Sequence, residues 1–294
     1  MSQAAATAGR APLGKLAIFA RSIKFEHSIF ALPFAYAALF LVEDGWPLAS
    51  HFLWITLAMV SARTIAMAAN RLIDAQIDAR NPRTAGRALP AGLLARRDML
   101  LFMGLSLALF LLAVYNLSQW AQRLWPAALT PMILYPYLKR FTWLCHFGIG
   151  LVYLVVPTGV WLAVADELTA GSILLAAGAA LWVSGFDVIY ALQDLAFDRK
   201  EGLHSIPARF GKVWALAIAR GVHLLTIAFV VAAGPLLDAG AFYYTGVVAF
   251  IALILYEHWL MRSGDESKIG MAFFNMNGII AVVFFLFVMA DVLV

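Results

Sequence analysis

The sequence predicts an all-α integral membrane protein with about nine transmembrane helices around a central cavity. Hydrophobic residues make up 63% of the 294-residue chain and charged residues only 13%, whereas soluble domains average about 45–50% and about 25%. Apolar segments of membrane-spanning length recur along the chain, and positive charge gathers in alternate connections between them. A soluble core of this size could not bury so much apolar surface, so a bilayer must cover it.

Nine apolar segments mark the predicted spans, since a helix needs about 20 mostly apolar residues to cross the hydrocarbon core. The segments fall near residues 27–43, 52–72, 99–116, 119–138, 143–164, 169–191, 213–233, 240–260 and 270–293. Residues 1–294 are predicted to form a single membrane domain, with residues 1–20 as a flexible cytoplasmic tail. No apolar stretch accompanies the basic residues of that tail, so it does not resemble a signal peptide.

Lysine and arginine residues are distributed unequally between the two sides of the membrane. Of the 21 such residues, 18 fall in the tail or in the connections after the second, fourth, sixth and eighth spans. Because cytoplasmic loops are enriched in positive charge, the N-terminus and the long loops are predicted to be cytoplasmic and the C-terminus to lie outside. The net charge of +4 therefore indicates membrane orientation and not nucleic-acid binding.

Two acidic motifs of the same pattern end the second and sixth spans. Their sequences are Asn70-Arg-Leu-Ile-Asp74-Ala-Gln-Ile-Asp78 and Tyr190-Ala-Leu-Gln-Asp194-Leu-Ala-Phe-Asp198. Four spans separate the two motifs, so both are predicted at the cytoplasmic face. A parallel duplication of a four-helix unit would produce this arrangement.

The spacing of the aspartates predicts a metal site. Residues four apart share a helix face, where two like charges cost a helix roughly 0.2–0.5 kcal/mol, and a bound cation would reverse that cost. Carboxylates suit Mg²⁺, which takes one or two protein carboxylates with phosphate oxygens and water. No cluster of Cys and His residues offers a zinc site. Ordinary solvated helix ends are the alternative explanation.

Polar residues continue each motif into the membrane. Arg63 lies eleven residues before Asp74, and Asp187 lies eleven before Asp198. Eleven residues make about three helical turns, so each pair shares a helix stripe, and Asn70 lies on the first of them. Charges at this depth normally face a protein interior or a cavity. The stripes therefore predict a polar cavity that opens to the cytoplasm.

Basic residues near the motifs would suit an anionic ligand such as a diphosphate. Lys139 and Arg140 end the fourth span, and the loop after the first motif carries Arg80, Arg83 and Arg87. Arginine binds phosphate in a bidentate fashion, and lysine binds it as a point charge. The alternative is that these residues only mark the cytoplasmic side of the membrane.

The two motifs and the basic end of span four resemble those of the UbiA family of intramembrane aromatic prenyltransferases. The resemblance covers most of the chain and includes Lys200 and Gly202 after the second motif. It implies nine helices around a central cavity. The flanking sequences are similar to a bacterial subgroup labelled 4-hydroxybenzoate polyprenyltransferase-like, some of whose members serve menaquinone made by the futalosine route.

The resemblance implies transfer of a polyprenyl group from a polyprenyl diphosphate to a hydroxylated aromatic carboxylate, in a bacterial inner membrane. The acceptor would be 4-hydroxybenzoate, for ubiquinone, or 1,4-dihydroxy-6-naphthoate, for menaquinone. Mg²⁺ would assist ionisation of the diphosphate, and the resulting allylic cation would attack the ring. A lateral opening to membrane lipid would admit the isoprenoid tail. Haem or chlorophyll prenylation is the alternative within the family. A cation-coupled secondary transporter and a membrane phosphoalcohol transferase are rivals from other classes.

The resemblance also implies roles for individual residues. The catalytic, metal-binding residues would be Asp74, Asp78, Asp194 and Asp198, with Asn70 beside the metal. The diphosphate would be bound by Lys139, Arg140, Arg80, Arg83, Tyr190 and Lys200. The acceptor would be bound by Arg63, Asn70 and Asp187, unless Arg63 instead forms a buried pair with Asp187 or another acid. Many family members carry Asp where this chain has Arg71, which leaves the share of the first motif in metal binding open.

Overall fold

The computed structural model describes residues 12–24, 32–261 and 276–294, and these residues are almost entirely helical, with no β-strand among them. The helices are α1 (Pro12–Ser22), α2 (Leu32–Glu43), α3 (Ala49–Ile73), α4 (Ala75–Arg80), α5 (Arg96–Val114), α6 (Gln119–Leu138), α7 (Cys145–Ala165), α8 (Ala170–Tyr190), α9 (Leu195–Glu201), α10 (Ile206–Ala233), α11 (Ala241–Leu260) and α12 (Asn277–Leu293). Short 3₁₀ helices at Ala191–Asp194 and Gly234–Leu236 follow α8 and α10.

Each predicted span overlaps one of these helices. Six are long and apolar enough to cross a membrane, namely α3, α5, α7, α8 with its continuation, α10 and α11. Helices α2 and α12 are shorter, and residues 27–31 and 270–275 of the first and last predicted spans lie outside the described residues. Helix α6 contains three prolines. The all-α membrane fold is confirmed, and the number of nine crossings stays a prediction.

The N-terminal segment differs from its prediction. Residues 12–22, expected as part of a flexible tail, form α1. Phe19 and Ile23 are 5% and 1% exposed, and the Phe19 ring lies 4.5 Å from that of Phe102 in α5, between centroids. This segment is amphipathic enough to bury one face against the bundle. Because it contains no long apolar run, the sequence analysis did not predict this helix.

Helix α10 begins earlier than the predicted span at residue 213. Ser205 caps it, because the Ser205 hydroxyl accepts a hydrogen bond from the Ala208 N–H at 3.2 Å. Gly211 then adopts φ 79° and ψ 172°, a conformation that glycine reaches without steric cost. The residues before Gly211 therefore form a separate turn, and this turn reaches the second acidic motif.

Helix α8, which ends in the second motif, is the most closely packed element of the bundle. A Cβ added to Gly150 of α7 would lie 2.8 Å from the Ala180 carbonyl oxygen of α8. A Cβ added to Gly178 of α8 would lie 2.7 Å from Val230 of α10. Small residues allow helix backbones in membranes to approach this closely, so α8 is held between α7 and α10.

Aromatic side chains fix another side of α8. The ring of Trp182, which is fully buried, lies 5.0 Å from that of Phe34 in α2 and 6.1 Å from that of Phe250 in α11. Phe284 of α12 packs on the Phe34 and Phe250 rings at 5.7 and 5.6 Å. These contacts join both ends of the chain to α8, so the helix that carries the second motif is a rigid support.

Candidate active site

The first motif spans a break between α3 and α4. Asn70 lies in the last turn of α3, Asp74 lies between the helices with φ −91° and ψ 3°, and Asp78 lies in α4. The helical turn is kept, because the Asp74 N–H donates to the Asn70 carbonyl at 3.0 Å and the Asp78 N–H donates to the Asp74 carbonyl at 2.8 Å. The four-residue turn spacing of the motif is therefore preserved across the break.

The second motif has the same break at the equivalent position. Tyr190 ends α8, the 3₁₀ helix Ala191–Asp194 follows, and Asp198 lies in α9. Asp194 adopts φ −102° and ψ 4°, within about 11° of the backbone angles of Asp74. The matching breaks agree with the repeated pattern in the sequence. Each motif is therefore a spanning helix followed by a short helix.

The two motifs meet through the loop that follows the first. The Asn81 amide donates to Asp194 Oδ1 at 2.8 Å, and Arg83 forms a bidentate pair with the Asp194 carboxylate, with its Nε 3.0 Å from Oδ1. Arg80 Nε donates to Glu201 Oε2 at 2.7 Å. Side chains more than 100 positions apart in the sequence thus form one polar site at one end of the helix bundle.

Arg83 is a strongly held cation at this junction. Its Nη1 donates to the Tyr190 hydroxyl at 3.1 Å, and its guanidinium lies 5.4 Å from the centre of the Tyr190 ring. Burial disfavours the charged guanidinium, but the hydrogen bonds and charge of Asp194, with help from Tyr190, outweigh burial and raise the pKa of Arg83. Arg83 therefore supplies a permanent positive charge beside the second motif.

Lys139, at the end of α6, lies between the two motifs. Its Nζ is 3.3 Å from Asp74 Oδ2, and it also interacts electrostatically with Asp194 and Asp198. Arg140 Nη2 donates to Asp74 Oδ1 at 3.2 Å. Lys139 therefore faces both acidic motifs and Arg140 faces the first, so neither is a remote charge at the membrane surface.

The remaining motif carboxylates also have partners within the chain. Arg87 Nη1 lies 2.7 Å from both oxygens of Asp78, whose side chain is 6% exposed. The Ser205 hydroxyl donates to Asp198 Oδ2 at 2.9 Å. Each of the four aspartates is thus paired with a cation or a hydroxyl, which limits the repulsion between them.

Deeper in the bundle, a second polar layer follows the predicted stripes. The buried hydroxyl of Tyr135, in α6, interacts electrostatically with Asp187, Asp74 and Arg63. Tyr153, in α7, interacts with Arg63 in the same way. Polar side chains of α3, α6, α7 and α8 therefore interact with one another in a layer below the motifs, and the polar cavity stays a prediction.

The alternative pairing of Arg63 with Asp187 is not found. Asp187 Oδ2 instead bonds to His146 Nδ1 in α7, at 2.7 Å. Arg63 Nη1 lies 3.5 Å from the Ile23 carbonyl oxygen. His146 was missed from the sequence, because a single histidine at a helix start has no pattern. The signal that could have found it is Asp187 itself, a carboxylate within a predicted membrane span that needs a partner.

Arg71 has a structural position. It is 5% exposed, its Nε donates to the Ser22 carbonyl at 2.9 Å, and its Nη1 donates to the Asn70 side-chain oxygen at 3.2 Å. Where many family members carry Asp, this side chain ties the end of α1 to α3 and orients Asn70. The first motif of this chain therefore contributes two carboxylates, those of Asp74 and Asp78.

Two of the predicted diphosphate-binding residues lie at the rim of the site. Lys200 is exposed on α9, and among the described residues it makes no hydrogen bond or ion pair with a motif carboxylate. The Arg80 side chain is 55% exposed and pairs with Glu201. By contrast, Asn81 and Ser205, which the sequence analysis did not select, contact motif carboxylates directly.

An apolar cavity of about 260 Å³ lies between α3, α5, α6 and α7. Its walls include Ile55 and Ala62 of α3, Trp120 and Met132 of α6, and Val156 of α7. Ala62 precedes Arg63, and Met132 lies one turn from Tyr135. The cavity therefore continues from the polar layer towards the opposite side of the membrane.

The fold and this site define a polytopic membrane protein whose carboxylate motifs and cations converge at one end of a helix bundle. The model of the UbiA prenyltransferase family matches residues 31–279, and the chain belongs to that family. The predicted prenyltransferase class is thereby confirmed. The rival predictions of a secondary transporter and a phosphoalcohol transferase are set aside by this membership.

Relatives match nearly the whole chain. A 4-hydroxybenzoate octaprenyltransferase from Marinobacter nauticus is 30% identical over 267 residues, or 90% of each chain. One from Vibrio cholerae is 31% identical over 241 residues, 82% of this chain and 84% of that protein. An apo structure of a UbiA homolog from Aeropyrum pernix K1 has a TM-score of 0.83 at 30% identity and covers 92% of this chain and 99% of its own. A UbiA homolog from Archaeoglobus fulgidus bound to GPP and Mg²⁺ shares the fold, with a TM-score of 0.73 at 18% identity over 94% and 99% of the two chains.

Proposed function

We propose that this protein transfers a polyprenyl group from a polyprenyl diphosphate to a hydroxylated aromatic carboxylate in quinone biosynthesis. The observation that carries the proposal is the junction of the two motifs, where Asn81 and Arg83 of the first loop contact Asp194 of the second motif and Lys139 faces both. One site thus combines carboxylates for a metal ion with cations for a diphosphate.

Mg²⁺ fits the side chains present. Among the described residues no three His, Cys, Asp or Glu side chains form a ready-made metal site. An ion that binds with a diphosphate needs no more than one or two protein carboxylates, because phosphate oxygens complete its octahedron. Asp74, Asp78, Asp194 and Asp198 would hold two such ions between them, with Asn70 nearby. Once bound, the metal would neutralise charge on the leaving group.

The cations of the site suit the diphosphate. Lys139, Arg140 and Arg83 already face the motif carboxylates, so a diphosphate at the junction would lie within their reach. Arg87, which the sequence analysis places in the basic loop after the first motif, is a further cation for the diphosphate. Positive groups fixed before the reaction stabilise the charge that develops on the diphosphate as its bond to the prenyl carbon breaks.

The deeper polar layer suits the aromatic acceptor. Arg63 would bind the acceptor carboxylate through its guanidinium, and Asn70, Asp187 and Tyr135 would contact the ring and its hydroxyl group. The ring carbon would then form a bond to the allylic carbon and lose its proton. The polar layer lies directly beneath the two acidic motifs. The ring carbon and the allylic carbon would therefore meet between this layer and the motifs.

The apolar cavity suits the isoprenoid chain. Its lining is aliphatic and aromatic, with Thr158, Trp120 and Trp125 as the residues whose side chains carry a polar group, and apolar chains are held in such cavities mainly by burial. A dry cavity would also keep water away from the allylic cation.

The acceptor is either 4-hydroxybenzoate or 1,4-dihydroxy-6-naphthoate. The names of the relatives favour the first, and the subgroup resemblance allows the second, because some members of that subgroup serve menaquinone. Both are hydroxylated aromatic carboxylates that Arg63 could bind. The bacterial relatives and the charge asymmetry support a multi-pass location in the inner membrane, with the N-terminus and the motif loops in the cytoplasm and the C-terminus outside.

The test is prenyl transfer by purified protein with Mg²⁺ and geranyl or a longer prenyl diphosphate. The two acceptors are offered in parallel, with EDTA as the control. A product with one acceptor, lost in EDTA, is the expected result and selects the pathway. Folded protein that binds the diphosphate but prenylates neither acceptor would refute the proposed acceptor class. Haem and chlorophyll precursors would then be tested in the same assay.

A further inference from the structure

His146 is buried beside the polar layer and is hydrogen-bonded through both ring nitrogens. It lies in the first turn of α7 and is 2% exposed. Its Nδ1 is 2.7 Å from Asp187 Oδ2, and its Nε2 is 3.2 Å from the backbone nitrogen of Ile206. The imidazole thus bridges α8 and the start of α10.

The second contact fixes the tautomer of His146. A backbone N–H can only donate, so Nε2 must accept and cannot carry a proton. The single proton of the neutral ring therefore lies on Nδ1, which donates to Asp187. Through this hydrogen bond, His146 holds the Asp187 carboxylate in a single hydrogen-bonding geometry.

The turn that orients His146 also contacts the second motif. Ser205, next to Ile206, donates to Asp198 Oδ2 at 2.9 Å and accepts from the Ala208 N–H at 3.2 Å. The capped start of α10 thus fixes the position of Ile206. The position of His146 depends on Ile206, because its Nε2 accepts from the Ile206 N–H.

One oxygen of the Asp187 carboxylate is hydrogen-bonded to His146, and the other is open to the polar layer. Its side chain is 26% exposed, against 3% for His146. No described residue donates a hydrogen bond to its second oxygen, Oδ1, and Asp187 interacts electrostatically with Tyr135 of the polar layer. The His146 bond therefore leaves one carboxylate oxygen free for a ligand in that layer.

We infer that His146 is a positioning residue, which holds Asp187 so that its free oxygen accepts a hydrogen bond from the ring hydroxyl of the aromatic acceptor. The inference rests on the proposed function, because it takes a hydroxylated aromatic ring as the substrate. A hydroxyl that donates to a carboxylate releases more electron density into its ring. That hydrogen bond strengthens as the ring attacks the allylic carbon, so it favours the transition state over the ground state. The hydroxyl keeps its proton throughout.

The experiment is a double-mutant cycle between His146→Ala and Asp187→Asn, read as kcat/KM for the acceptor. If His146 acts through Asp187, each single variant should lose activity by up to roughly 100-fold, the scale of a misplaced group, and the double variant should lose no more than either. His146→Asn is the rescue variant, since its amide can donate from nearly the position of Nδ1. It should recover most of the activity. Diphosphate binding should be unchanged in all three single variants and in the double variant.

His51→Ala is the matched control. This substitution breaks the histidine–carboxylate pair of His51 and Glu43 at the other end of the bundle. It should leave prenyl transfer unchanged. Losses that multiply in the double variant, or a His146→Asn variant as impaired as His146→Ala, would overturn the inference. Wild-type protein that prenylates neither aromatic acid would instead refute the proposed function, before any variant is compared.

Discussion

Replacing Arg87 with Ala should destabilise the protein when no ligand is added but have much less effect once metal and diphosphate are bound. A single guanidinium nitrogen of Arg87 lies 2.7 Å from both oxygens of Asp78. The Asp78 side chain is only 6% exposed, so its charge would remain largely buried and unpaired. With Mg²⁺ bound at the motif, the ion would take over that compensation.

The structure sets the size of the effect. Removing one partner of a fully buried ion pair costs about 3–5 kcal/mol, whereas exposed pairs contribute about 0–1 kcal/mol. Because the Arg87 side chain is 26% exposed, we expect a loss of about 2–3 kcal/mol. In a chain of this size that corresponds to a fall in Tm of roughly 3–5 °C. Arg80→Ala, in the same loop, is the matched control, since Arg80 is 55% exposed and should lower Tm by little.

The assay is thermal unfolding of detergent-purified protein, followed by tryptophan fluorescence, in EDTA and then with Mg²⁺ and geranyl diphosphate. Arg87→Ala should lower Tm in EDTA, and added ligand should close most of the gap to wild type. Combining it with Asp78→Asn should restore stability in EDTA, because no charge is left unpaired. Equal Tm values for the Arg87 and Arg80 variants, or no recovery in the double variant, would refute the reasoning.

Three further predictions concern other parts of the site. Asp74→Ala, Asp78→Ala, Asp194→Ala and Asp198→Ala should each abolish most prenyl transfer while circular dichroism still reports a folded protein, and normal activity in a second-motif variant would reject the two-motif mechanism. Arg63→Ala should raise the acceptor KM with diphosphate binding unaltered, and unchanged acceptor kinetics would reject its role. Arg71→Ala should loosen α1, measured as faster amide exchange over residues 12–24, since the bond to Ser22 is lost, and unchanged exchange there would contradict the structural role.

Much of the site could be predicted because its signals are local in sequence. The repeated acidic pattern identified Asp74 and Asp194, and the charge asymmetry placed both motifs at one face. Lys139, predicted from its place at a basic helix end to bind the diphosphate, faces both motifs. Charges near membrane-spanning segments are costly unless they are paired, so their clustering carries information even without coordinates.

The missing parts depend on contacts between distant segments. His146 and Asp187 are 41 positions apart, and Asn81 and Asp194 are 113 apart. The breaks at Asp74 and Asp194 contain no proline or glycine, so no residue type announced them. Arg71 looked like a loss of a ligand, yet it became a structural link because Ser22 lies beside it.

The internal pairing of the four motif aspartates has a consequence for how ligands enter. On the proposed function, a divalent ion that arrives alone would compete with Arg87, Arg83 or Lys139 for Asp78, Asp194 or Asp74, and a diphosphate that arrives alone would meet cations already engaged. With both present, the carboxylates would hold the metal and the released cations would be available to the phosphate. By thermodynamic linkage, each ligand then raises the affinity for the other by the same factor. On the proposed function, the enzyme therefore takes up metal and prenyl diphosphate cooperatively and holds neither tightly on its own.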